Sequence, residues 1–117
     1  MRPTILIVDD DPVLRRALAR ELRQYEVLEA EGIDQALTRL IENREICAVV
    51  ADQHLGDGLG SDLLSEVKRR APWSVRVLMS GALPPEQDDL DGVLAKPWPF
   101  AQALVVLRNA LSTPIRA

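Results

Sequence analysis

Ile5-Leu6-Ile7-Val8-Asp9-Asp10-Asp11-Pro12 runs four apolar residues straight into three acids and a proline. A short apolar run bounded in this way, with Thr4 before it, reads as a buried strand. The acids then stand at the strand's carboxyl end, the edge where open α/β sheets place their ligand crevice. Two unit charges ~5 Å apart repel by roughly 3 kcal/mol at an effective dielectric of ~20. A carboxylate cluster of this kind calls for a cation or a proton, and the plainer alternative is a solvated acidic turn. Asp11-Pro12 has the form of a helix N-cap followed by proline at the first helical position. That gives Asp11 a structural role and leaves Asp9 and Asp10 for chemistry.

Outward from this stretch, apolar runs alternate with amphipathic ones. Val13, Leu14, Ala17, Leu18 and Leu22 have helical spacing. Tyr25 to Ala30 reads as a second strand, and Ile33, Ala36, Leu37, Leu40 and Ile41 as a second amphipathic helix. Cys47 to Ala51 is a third strand, apolar on both faces and ending at Asp52. Gly56, Gly58 and Gly60 punctuate the following loop, and Leu63, Leu64 and Val67 carry a third helix that stops before Pro72. Val75 to Met79 is a fourth strand ending at Ser80-Gly81, and Gly92 to Ala95 a fifth ending at Lys96-Pro97. Phe100, Leu104, Leu107 and Leu111 line a last helix. Strands alternating with helices imply an α/β fold, a parallel sheet covered on both faces. Residues 1–112 form the expected domain, and 113–117 a tail or the start of a linker.

Length and composition set outer bounds. The 117 residues suit one domain, and the 47% apolar content is enough for one core. A net charge of −4 excludes the basic stripe of a nucleic-acid binder. No run of 18 apolar residues is present to span a membrane, and a first strand near residue 4 leaves no room for a signal peptide. The single cysteine, Cys47, cannot form an internal disulfide and reads as an inert core residue in a reducing cytoplasm.

The strand ends make the sharper point. Asp9 and Asp10, Asp52, Ser80 and Lys96 fall at the ends of strands one, three, four and five, which share one edge of a parallel sheet. Carboxylates with water and phosphate oxygens are the ligands Mg²⁺ prefers. A hydroxyl and an ammonium facing them suit the equatorial oxygens of a phosphoryl group. An ionised aspartate is a competent nucleophile that forms an acyl phosphate. The set therefore reads as phosphoryl transfer onto a protein carboxylate.

ILIVDDDP (5–12), VVADQHL (49–55) with Gly60, VLMSG (77–81) and LAKPW (94–98), in that order, resemble the receiver domain of two-component response regulators over essentially the whole chain. The resemblance implies a flavodoxin-like, doubly wound five-stranded sheet of order 2-1-3-4-5. It implies phosphorylation of Asp52 by a histidine kinase or phosphotransfer protein, with an output domain or partner downstream. Such a chain is a signalling domain that catalyses only its own phosphorylation and dephosphorylation. Mg²⁺ would be held by Asp9, Asp10, Asp52 and the backbone carbonyl of His54. Ser80 matches the switch hydroxyl that moves the loop after the fourth strand, Lys96 matches the family's lysine, and Lys96-Pro97 would be a cis peptide.

The chain also departs from that pattern. Ser80 and Lys96 are 16 residues apart, short of the usual spacing by about one and a half helical turns. Residues 83–91 carry four acids, two prolines and no apolar stripe, so the fourth helix should be a single turn or irregular. The family's usual dimer face, built from the fourth helix, fifth strand and fifth helix, is thereby cut short. Val93 stands where receivers usually carry an aromatic, and Gly56 where they often carry proline.

Several residues have plain readings beside functional ones. His54 is an exposed loop histidine or a group leaning over the phosphoryl. Trp73 and Trp98 are packing residues and Asp57 a solvated loop acid, while Arg15, Arg16, Arg20 and Arg23 line a solvated helical face. Two rival functions stay open at this level. One is a receiver-like interaction module that is never phosphorylated. The other is a haloacid-dehalogenase-like phosphatase using Asp9 and Asp11, although it leaves Asp52 without a role and 117 residues is short for that core.

Overall fold

A computed structural model of the chain describes residues 2–81, 90–95 and 100–112, with backbone alone at 95 and 100. The expectations for Lys96, the Lys96-Pro97 bond, Trp98 and the 113–117 tail lie outside the described residues, as does nearly all of the segment 83–91, where the sequence predicts a short or irregular fourth helix.

Five strands, β1 (Thr4–Val8), β2 (Glu26–Ala30), β3 (Ile46–Asp52), β6 (Val75–Ser80) and β7 (Gly92–Ala95), form one parallel sheet of order β2-β1-β3-β6-β7. A two-residue antiparallel pair, β4 (His54–Leu55) and β5 (Gly58–Leu59), folds the loop after β3 into a small hairpin. Four helices are described: α1 (Pro12–Glu21), α2 (Ile33–Glu42), α3 (Gly60–Arg70) and α4 (Phe100–Ser112). This is the doubly wound, flavodoxin-like architecture the sequence implies, its fourth and fifth strands being β6 and β7. Among the described residues no helix is long and apolar enough to cross a membrane.

The apolar run 5–8 explains why two cores exist. Side chains alternate across a strand, so Ile5 and Ile7 point to one face and Leu6 and Val8 to the other. All four are fully buried. Leu6 and Val8 join Val49, Ala51 and Leu78 beneath Ala36 and Leu40 of α2 and Leu63, Leu64 and Val67 of α3. Ile5 and Ile7 join Val50, Val77, Met79 and Leu94 beneath Leu18 of α1, its C-cap Leu22, and Ala103 and Leu107 of α4. A continuous apolar run is what a strand covered on both faces needs.

Two apolar residues assigned to helix stripes are instead exposed. Val13 is 78% exposed because it lies about 140° round α1 from Leu18. Ile41 is 67% exposed, with the same offset from Ala36 on α2. Cys47 is half-buried. Its Sγ donates to the Thr4 carbonyl at 3.3 Å, and burial pushes the thiol pKa up.

Candidate functional site

The chain leaves β1 for β2 on one side and reaches β3 on the other. The carboxyl ends of β1 and β3 therefore flank the topological switch point, where doubly wound sheets open a crevice. Val8 pairs with Ala51, so the next residues, Asp9 and Asp52, emerge side by side. One carboxylate oxygen from each of Asp9, Asp10 and Asp52 falls within 4.8 Å of the others. Asp9 and Asp52 are buried, at 1% and 7% exposure, and Asp10 is exposed. Three hard oxygens converging on one point, one of them open to solvent, fit a Mg²⁺ ion that keeps several waters. Met79 pairs with Asp52, which puts Ser80 one residue further along the neighbouring strand, buried at 3% exposure.

Asp9 is fixed on three sides. Its backbone N–H donates to the Ala30 carbonyl at 3.1 Å, and its Oδ1 accepts from the Asp11 N–H at 2.9 Å. Its carbonyl accepts from Arg15 Nη1 at 2.7 Å. Arg15 Nε in turn donates to Glu29 Oε1 at 2.9 Å, and the Arg15 side chain is only 14% exposed. Arg15 is thus no part of a solvated face. It shares the core-facing stripe of Leu18 and Leu22 at i, i+3, i+7, the spacing that could have identified it in the sequence. Asp11 serves as expected, its Oδ1 capping α1 through the N–H groups of Val13 and Leu14 at 3.0 and 3.3 Å.

The loop after Asp52 is held at its base and at its tip. At the base, the Gln53 N–H donates to the Met79 carbonyl at 2.9 Å and its carbonyl accepts from the Gly60 N–H at 2.8 Å. Its Oε1 accepts from the Ser61 N–H at 2.9 Å, satisfying a donor at the start of α3. Gly60 packs directly against Asp52, where a Cβ would lie 2.0 Å from the Asp52 carbonyl oxygen. At the tip, Asp57 is exposed, as its sequence reading has it, but it also has a structural partner. Its two carboxylate oxygens accept from the N–H groups of Ile33 at 2.9 Å and Asp34 at 3.2 Å, capping α2. Those bonds, Ile33 first, hold its carboxyl below the usual carboxylate range. The His54 side chain is exposed, and its N–H lies 3.4 Å from Asp52 Oδ1. Trp73, expected to pack, is 39% exposed.

The family of the response regulator receiver domain matches residues 5–107. The chain is 30% identical to the hydrogenase transcriptional regulatory protein HoxA of Cupriavidus necator, over 92% of this chain and 24% of that protein. It thus spans about a quarter of that relative's length. Among solved structures it is similar to the signal receiver domain of an HD domain-containing protein from Pseudomonas fluorescens Pf-5, at 30% identity and a TM-score of 0.85 over 95% of each chain. A response regulator from Burkholderia pseudomallei, solved with a phosphorylated aspartic acid and a calcium ion, is 26% identical with a TM-score of 0.77. That match covers 95% of this chain and 75% of the other.

Proposed function

Because the chain belongs to the response regulator receiver domain family, we propose that it is a signalling receiver that accepts a phosphoryl group on Asp52 in a Mg²⁺-dependent reaction. The convergence of Asp9, Asp10 and Asp52 within 4.8 Å at the carboxyl edge of the sheet carries this reading. The donor is a phosphohistidine on a kinase or phosphotransfer partner, and the setting is cytoplasmic.

Asp52 attacks phosphorus through a carboxylate oxygen. The new P–O bond forms as the donor's P–N bond breaks, and the P–N electron pair stays on the departing imidazole. Asp9, Asp10, Asp52 and the His54 carbonyl would hold Mg²⁺, which when bound neutralises charge on the phosphoryl oxygens. Asp9 can keep its ligand geometry because Ala30, Asp11 and Arg15 restrain it. The phosphoryl group carries about −1.5 to −2 where the free carboxylate carried −1, and it projects that charge further into the crevice. The Ser80 hydroxyl and the Lys96 ammonium answer that charge, and the loop beginning at Ser80 is the element whose change exposes a new binding face to an output partner.

Acetyl phosphate with Mg²⁺ tests the assignment. The wild-type chain becomes labelled and Asp52→Asn does not. Undiminished labelling of Asp52→Asn would sink it.

A further inference from the structure

Asp57 lies beyond the acid crevice, yet it ties the crevice's loop to a helix 24 residues earlier. From that tie we infer that Asp57 is a positioning residue. By capping α2 from the loop that follows Asp52, it holds that loop, and with it the His54 carbonyl, in the geometry that receives the metal. The inference rests on the receiver reading of the crevice.

Three features show the loop tip and α2 fitted to each other. Gly32, the N-cap residue of α2, has an extended backbone (φ −165°, ψ −173°) that suits serine, threonine, asparagine or aspartate, yet it brings no side chain. A Cβ at Gly32 would lie 2.7 Å from Asp57 Oδ1, so the remote carboxylate takes the room a local cap would need. Gly58 has φ +152°, a conformation other residues rarely adopt, and a Cβ there would lie 2.6 Å from Ile33 Cδ1. A local cap would satisfy the helix donors equally well. What the remote cap adds is a tether on the loop. Without it, the segment between Gln53 and Gly60 keeps its base, the two-residue pairing of β4 with β5 and the buried Leu55, and its tip loses its described hydrogen bonds to α2. Groups that orient metal ligands typically change affinity by about 10- to 100-fold when removed.

The fit supplies its own control, because Gly32→Ser gives α2 a local cap once Asp57→Ala has cleared the space. Mg²⁺ binding is measured by titration calorimetry well below the melting midpoint of wild type, Asp57→Ala and the double variant. Asp57→Ala should lower the midpoint by about 4 °C and weaken Mg²⁺ binding about tenfold. The double variant should regain the midpoint while its Mg²⁺ binding stays weak. Restored Mg²⁺ affinity in the double variant, or unchanged affinity in Asp57→Ala, overturns the positioning role alone. A wild-type chain that binds no Mg²⁺ overturns the receiver reading of the crevice and this inference with it.

Discussion

Replacing Gly60 with alanine tests how tightly the carboxyl end of β3 abuts α3. The added Cβ would stand 2.0 Å from the Asp52 carbonyl oxygen, 2.8 Å from its carbonyl carbon and 3.1 Å from Gln53 Cα. All three are backbone atoms, so no side-chain rotation relieves the overlap. The two segments must separate by at least 1 Å to restore the 3.0 Å that real Cβ contacts need. Overpacking of this kind costs about 1–3 kcal/mol. The separation also stretches the Gly60 N–H bond to the Gln53 carbonyl and the Ser61 N–H bond to Gln53 Oε1, each worth about 1 kcal/mol. Better helix propensity returns at most about 1 kcal/mol. The net loss should be about 3 kcal/mol, seen as a urea midpoint lower by about 1.5 M for an m-value of about 2 kcal/mol/M. Gly56→Ala is the matched control, with nothing within 4 Å of its Cβ, and should change stability by less than about 0.5 kcal/mol. Equal stabilities for the two variants would show that the backbone at Gly60 has room for a Cβ.

Three further outcomes follow from individual side chains. Asp57 has a depressed folded-state pKa, so its cap is fully effective above the ordinary aspartate pKa of about 3.9 and is lost as pH falls through the lower folded value. The stability gap between wild type and Asp57→Ala should be about 1 kcal/mol from pH 5 to 7 and shrink below about pH 4; a constant gap in urea melts would contradict the capping geometry. Asp10→Asn removes one charge from the cluster at the exposed rim, so the metal-free protein at low salt should gain about 1 kcal/mol, and a loss of stability in chelator would count against mutual repulsion. Cys47, with its pKa raised by burial, should react with a disulfide reagent at pH 8 far more slowly than a free thiol until urea unfolds the chain; equal rates would show it to be accessible.

The sheet was legible in the sequence because covering both faces leaves a plain trace. Ile5 to Val8 and Cys47 to Ala51 are apolar at every position, and the intervening helices carry one stripe each. The acid pair, Asp52 and Ser80 were legible for a related reason: strand ends share an edge once the strands are parallel. Arg15 was hidden by residue type, since an arginine on a core-facing stripe looks like part of a solvated face until Glu29 and the Asp9 carbonyl are seen to receive it. The role of Asp57 depends on its carboxylate accepting from a backbone N–H 24 residues earlier, which no local pattern encodes. The hairpin of β4 and β5 is too short for a two-residue alternation, and only its glycines hinted at it.

The proposed function turns on Asp52 as the phosphoryl acceptor. Peptide mass spectrometry after acetyl phosphate treatment, with and without Mg²⁺, locates the adduct most directly. The peptide containing Asp52 should gain one phosphoryl group, dependent on Mg²⁺ and absent in Asp52→Asn. A phosphoryl group on another residue, or none in the wild-type chain, would contradict it.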